Sequence, residues 1–182
     1  MVGALIGTAL VSGCSAKQEA NDTLPTAAAE TTEALPEIGP ADFPVPDEAR
    51  TKDAAGAEAF VRYYIELINR QQRIPAGEPI RALSPDCATC LRIARAFDDS
   101  ASAGHEYLGG ELTVNDIVEP QIAGDTASLI FGTRVEAVSV RDAGGAPVPN
   151  GQSALMPNAG SGMTLTWSDE HHSWLAAGLT IG

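Results

Sequence analysis

Basic residues are scarce in this sequence. Eleven lysines and arginines stand against 24 aspartates and glutamates in 182 residues, and the formal net charge is −13. Such a chain repels the phosphates of nucleic acids and the head groups of anionic lipids. We therefore expect no nucleic-acid partner, and we expect any attachment to a membrane to be covalent.

Histidines and long apolar runs are also few. Only three histidines are present, and no stretch has the spacing of a zinc site. His171 and His172 are neighbours in a predicted turn. Adjacent residues on a strand would point to opposite faces, so the two side chains cannot easily share a metal ion. Beyond the N-terminus no run approaches the roughly 20 apolar residues of a spanning helix. We expect no metal and no cofactor.

One of the three cysteines ends the apolar N-terminal stretch, in Leu10-Val11-Ser12-Gly13-Cys14. Small residues before a cysteine are typical of a lipobox, which predicts a lipoprotein signal peptide over residues 1–13. The thiol of Cys14 would carry a diacylglyceryl group with chains such as palmitate, and cleavage would free its amine, for which acylation is left open. Two lipid chains anchor a protein stably. The prediction is a lipid-anchored protein on the extracytoplasmic face of the cell membrane.

Residues 14–50 have the composition of a tether. Residues 15–49 hold eight acidic residues and one lysine, a net charge of −7, with five prolines and few large apolar side chains. Such a segment cannot bury enough surface to offset its ordering entropy. We predict a disordered spacer whose end, Phe43-Pro44-Val45-Pro46, docks on the edge of the following domain.

Residues 51–182 predict an α+β domain with helices first and antiparallel strands after. An apolar stripe marks a helix over 53–72, capped by Thr51 or Asp53, with i,i+4 pairs Glu58–Arg62 and Glu66–Arg70. A short helix at 80–84 and a third up to about Ala103 follow. Strands are expected at 107–119 with a bend at Gly109-Gly110, from Gly124 onward, around Met163–Trp167 and at 174–181, with a loop at 144–151.

Cys87 and Cys90 form a Cys-x-x-Cys pair at the start of the third helix. In an exported protein an even pair is most simply a disulfide. A thiol–disulfide exchange role is the alternative, because thioredoxin-like sites place such a pair at a helix N-terminus. Those proteins have a strand before the motif, whereas helices precede it here. A structural disulfide is therefore favoured.

Two segments carry a resemblance to a known family. The segments Ala57-Glu58-Ala59-Phe60-Val61-Arg62-Tyr63-Tyr64 and Pro85-Asp86-Cys87-Ala88-Thr89-Cys90, together with the lipobox and tether, resemble an uncharacterised family of actinobacterial envelope lipoproteins. The family is similar in topology to the cystatin-like cone of nuclear transport factor 2 relatives, in which a curved sheet of about four strands wraps a long helix. The resemblance implies a fold and a location, and no activity.

Cone folds often enclose a pocket between helix and sheet, and this implies candidate pocket residues: Tyr64, Asp98, His105 and Tyr107. Some relatives are isomerases or cyclases that use an Asp or His base and a tyrosine, but no motif here matches theirs. We assign no catalytic residue. The leading hypothesis is a binding or interaction module for an apolar small molecule or an envelope protein; a small cone-fold enzyme and a thiol–disulfide protein are the alternatives.

Overall fold

The computed structural model describes residues 35–182, and the predicted signal peptide, Cys14 and most of the predicted tether lie outside this range. The longest helix, α1 (Ala54–Arg73), follows the predicted apolar stripe closely. The Asp53 carboxylate accepts the Gly56 N–H at 2.8 Å and caps the first turn. The helix ends at Ile74, directly before Pro75, which cannot continue an α-helix.

Two further helices follow. The short α2 (Glu78–Ala82) has Pro79 in its first turn. The third, α3 (Ala88–Ala103), begins at Cys87, whose Sγ accepts the Cys90 N–H at 3.2 Å. It ends at Gly104, which has a φ of +65°, a conformation that glycine adopts without a steric penalty.

Within residues 35–182, eight strands form two antiparallel sheets. The strands are β1 (Glu106–Gly109), β2 (Leu112–Ile117), β3 (Gln121–Ala123), β4 (Thr126–Val135), β5 (Val138–Arg141), β6 (Pro147–Ser153), β7 (Met156–Ser168) and β8 (Ser173–Ile181). The main sheet has the order β2-β4-β7-β8, with β3 also paired to β4, and the second has the order β1-β5-β6. Register shifts interrupt the β2–β4, β4–β7 and β7–β8 pairs, and such bulges bend a sheet.

The second sheet was not predicted. Gly109 and Gly110, both with positive φ, divide the expected strand 107–119 into β1 and β2, which join different sheets. The expected loop at 144–151 is partly wrong, because β6 begins at Pro147. Asp142 closes the turn between β5 and β6 by accepting the Gly144 and Ala146 N–H groups at 2.9 Å each. An edge strand tolerates the proline at its start.

The helices pack on one face of the main sheet around a single apolar core. The largest fully buried side chains come from both layers and include Phe60, Tyr64 and Leu67 of α1, Leu165 of β7 and Trp174 of β8. The Trp174 indole N–H donates to the carbonyl oxygen of Thr51 at 2.9 Å, so the start of α1 is attached to β8. This is the predicted α+β cone.

The domain begins earlier than residue 51. Residues 38–50, called the strap below, lie against α1 and end in a 3-10 helix (Asp47–Arg50). Val45 and Ala49 are buried in the core, so the predicted boundary at 50/51 is wrong for this segment, whereas the expected docking of Phe43–Pro46 is observed. Within residues 35–182, no helix has both the length and the apolar character to span a membrane.

Candidate functional site

Tyr64, the first of the predicted pocket residues, is a core residue. Its hydroxyl donates to Ser84 Oγ at 3.0 Å, and Ser84 in turn donates to the carbonyl oxygen of Ile80. Burial raises the pKa of Tyr64 to about 12. The hydroxyl therefore stays protonated near neutral pH and joins α1 to the end of α2.

Asp98 has a similar structural role. It pairs with Arg81 at 2.5 Å and accepts the Gly77 N–H at 2.7 Å. The Arg81 guanidinium, followed by the Gly77 N–H, holds the pKa of this carboxyl below its usual value. Asp98 therefore joins α3 to the start of α2 and is a poor general base.

The other two residues lie at the end of α3. The Tyr107 hydroxyl is 2.8 Å from Ser100 Oγ, and its ring meets Phe97 edge-on. The backbone N–H of His105 donates to the Ser100 carbonyl oxygen at 2.9 Å and closes the helix. Neither cleft described below includes any of the four predicted residues. The structure therefore gathers them around neither of these two clefts.

Cys87 and Cys90 are bonded to each other, and both are fully buried. The predicted disulfide is confirmed. Thiol–disulfide exchange requires a thiolate to reach one of the sulfurs, so this burial disfavours the redox alternative. The bond closes the turn at the start of α3 on its core side.

One surface cleft, of about 450 Å³, lies where the start of α3 meets the main sheet. Thr89 and Asp86 line one side, and the hydroxyls of Ser128, Thr164 and Thr180 line the sheet. These three side chains are exposed and alternate along their strands with buried leucine and methionine. The cleft is shallow and polar, and Asp86 is its only ionisable side chain.

A second cleft, of about 480 Å³, lies between the strap and α1, and we call it the strap groove. Its walls are Phe43, Pro44 and Pro46 of the strap, and its floor is Ala59 and Tyr63 of α1. Glu48, Arg62 and Glu66 form its rim. The two segments that meet here are those that stand out in the sequence, Phe43–Pro46 and Ala57–Tyr64.

The walls of the strap groove are fixed by Tyr63. Its hydroxyl donates to the Phe43 carbonyl oxygen at 2.9 Å, and the two rings stack with centroids 5.1 Å apart. Burial raises the pKa of Tyr63, so this donor is permanent at neutral pH. Gly39, with a φ of +88°, leaves room for the hydroxyl, because a Cβ there would lie 2.5 Å from it.

The ion pairs around the groove differ from the prediction at one point. Glu58 and Arg62 pair at 2.8 Å as expected. Arg70 instead binds Asp42 of the strap, with both carboxylate oxygens within 2.8 Å of its Nη2 atom, so the predicted Glu66–Arg70 pair is wrong. Among residues 35–182, no cation pairs with Glu48 or Glu66, and the rim is net acidic.

No family model matches the sequence, and no curated protein matches it. Among solved structures, the intermembrane space region of the chloroplast protein ARC6 is similar, with a TM-score of 0.50 and 14% identity over 72% of this chain and 97% of that chain. A five-substitution variant of a designed NTF2 protein has a TM-score of 0.41 and 9% identity over 69% of this chain and 99% of that chain. A protein from Catenulispora acidiphila has a TM-score of 0.40 and 12% identity over 70% of this chain and 94% of that chain. At these identities the likeness to ARC6 concerns the fold alone.

Proposed function

We propose that this protein is a lipid-anchored protein of the extracytoplasmic face of the membrane, and that its cone domain is an interaction module. The observation that carries the proposal is the division of the three cysteines. Cys87 and Cys90 are bonded to each other inside the core. Cys14, at the end of the lipobox, is then the one cysteine of the sequence available for modification.

The disulfide also supports an exported location. Disulfides persist in oxidising compartments and are rare in the cytosol. The Cys87–Cys90 bond lies within the core at the start of a helix, so it belongs to the folded structure. A protein whose fold contains such a bond is best suited to a compartment outside the cytosol.

The contents of the cone favour binding over catalysis. Phe60, Tyr64 and Trp174 are fully buried and occupy the space between α1 and the sheet. The hydroxyl of Tyr64 and the carboxylate of Asp98 are held by Ser84 and Arg81. An interior filled in this way offers little room for an apolar small molecule, so we place the interaction on the surface of the domain.

The anchor is tested by replacing its cysteine. The full chain and its Cys14→Ser and Ser15→Ala variants are produced in the native host with an alkyne analogue of palmitate, and the membranes are washed at high pH. We expect label and membrane retention for the full chain and for Ser15→Ala, and neither for Cys14→Ser. Retention of the Cys14→Ser variant, or an unlabelled parent chain, would contradict the proposal.

A further inference from the structure

We propose that the strap groove binds a short segment of a partner protein in which apolar residues are flanked by lysine or arginine. This inference rests on the interaction-module part of the proposed function and not on the lipid anchor. The apolar surface of the groove is formed by two aromatic rings, two prolines and an alanine.

The groove is held in shape before any partner arrives. The Tyr63–Phe43 hydrogen bond and the Arg70–Asp42 pair hold the strap on α1. Within the strap, the Val45 N–H donates to the Ile38 carbonyl oxygen at 2.9 Å and closes its turn. Prolines stiffen one wall, and Pro46 has the extended φ and ψ of −71° and 153°. A preorganised apolar surface loses little conformational entropy on binding.

The apolar floor defines the centre of the ligand. Ala59 has a small side chain and leaves a depression between the Tyr63 ring and the prolines. Aromatic and proline surfaces of this kind pack against extended apolar peptide segments. A groove of about 480 Å³ has room for several apolar side chains of the partner.

The rim defines the flanks of the ligand. Glu48 and Glu66 are exposed, and within residues 35–182 neither forms an ion pair, although Glu66 accepts a hydrogen bond from the Asn69 side-chain amide at 3.3 Å. Arg62 on the same rim is already neutralised by Glu58. The rim therefore adds net negative charge to an apolar floor. Lysine or arginine beside the apolar residues of the partner complements this arrangement.

The same charges disfavour the other occupants. The tether ahead of the strap has five acidic residues and one lysine over residues 15–37, a net charge of −4, and would be repelled by the rim. A second copy of this chain, with a net charge of −13, would be repelled as well, and so would an anionic lipid surface. A basic segment of a different protein remains the best complement.

The test places a diazirine-bearing amino acid at Ala59 of the full chain in its native host. Ala96, an exposed alanine of α3, is the matched control position. After irradiation, the crosslinked peptides are identified by mass spectrometry. We expect an adduct specific to position 59 whose partner peptide contains apolar residues next to lysine or arginine.

The charge requirement is tested with two double variants of equal charge change. Glu48→Lys with Glu66→Lys reverses the rim, and Glu106→Lys with Glu119→Lys reverses two exposed carboxylates elsewhere. Each exposed ion pair changes affinity about twofold, and a reversal replaces an attraction with a repulsion at both positions. We therefore expect about a tenfold loss of adduct for the first variant and little change for the second.

Several outcomes would overturn the inference. One is the absence of an adduct above the level at the Ala96 control position, and another is an adduct with lipid or with a second copy of this chain. The others are a partner peptide without basic residues and an equal loss of adduct in both double variants. The experiment is repeated in the Cys14→Ser background. We expect the same adduct there, because the groove does not depend on the lipid; the anchor can then fail its own test while the groove assignment stands.

Discussion

The paired hydroxyls of Tyr64 and Ser84 allow the structural role of the cone interior to be measured. Tyr64→Phe removes one buried hydrogen bond, at a cost of about 1 kcal/mol. Ser84→Ala removes the bond to Ile80 and leaves the Tyr64 hydroxyl buried without a partner, at a cost of about 2 kcal/mol. In the double variant no tyrosine hydroxyl is left without a hydrogen-bond partner. We therefore expect a total loss of unfolding free energy of about 2 kcal/mol rather than the sum of the two single losses.

Urea unfolding of the oxidised chain carrying Cys14→Ser is the assay. The slope for a domain of this size is about 2 kcal/mol per molar urea, so each kcal/mol moves the midpoint by about 0.5 M. The two single variants should lower the midpoint by about 0.5 and 1 M, and the double variant by about 1 M.

Additive losses, with a midpoint lowered by about 1.5 M in the double variant, would refute this reasoning. They would mean that the two hydroxyls do not bond to each other in the folded protein. A Tyr64 that is free of Ser84 would again be a candidate for chemistry inside the cone.

Three further predictions concern stability. Replacing Cys87 and Cys90 by serine should lower the free energy of unfolding by about 2 kcal/mol, which is the loss of chain entropy expected for so small a loop. The disulfide of the folded chain should also react with a mild reductant far more slowly than that of the unfolded chain. Equal reaction rates would contradict the burial of the disulfide. Asp53→Ala should cost about 1 kcal/mol at pH 7. The Gly56 N–H lowers the pKa of the Asp53 carboxyl below its ordinary value of 3.8 in the folded state. The stability lost in Asp53→Ala should therefore be constant above about pH 5 and shrink as the pH falls through the folded pKa. If the urea midpoints of the parent chain and the variant do not approach each other at low pH, the cap is contradicted. Trp174→Phe loses an indole hydrogen bond and an edge-on contact between two tryptophans, and should lower the melting temperature by about 6 °C; a change below about 2 °C would contradict its place in the core.

Elements whose structure follows from a local sequence pattern were predicted well, whereas elements that depend on contacts with distant residues were not. The stripe of α1 and the glycine at the end of α3 are local signals, and both elements were predicted well. The strap was predicted as tether because its proline-rich, acidic composition is typical of disorder. Val45 and Ala49 nevertheless bury their side chains in the core, and contacts with Tyr63 and Arg70 of α1 hold the segment in place. No local pattern distinguishes Val45 and Ala49.

The candidate site shows the same limit. Tyr63 lies outside the apolar stripe, yet it is 6% exposed because the strap covers it. An off-stripe tyrosine and the Phe43–Pro46 segment were the available signals, but only their contact forms the groove. Tyr64 and Asp98 were candidates because they are chemically capable residues. Their partners, Ser84 at a separation of 20 residues and Arg81 at 17, could not be inferred from spacing.

The most direct test of the account is the intact mass of the protein extracted from membranes with detergent, followed by fragmentation of its N-terminal peptide. The account predicts a mature chain that begins at Cys14 and carries a thioether-linked diacylglyceryl group, with Cys87 and Cys90 two hydrogens lighter than the reduced pair. An N-terminus upstream of Cys14, or a Cys14 with no added mass, would contradict the lipid anchor on which the proposed location depends.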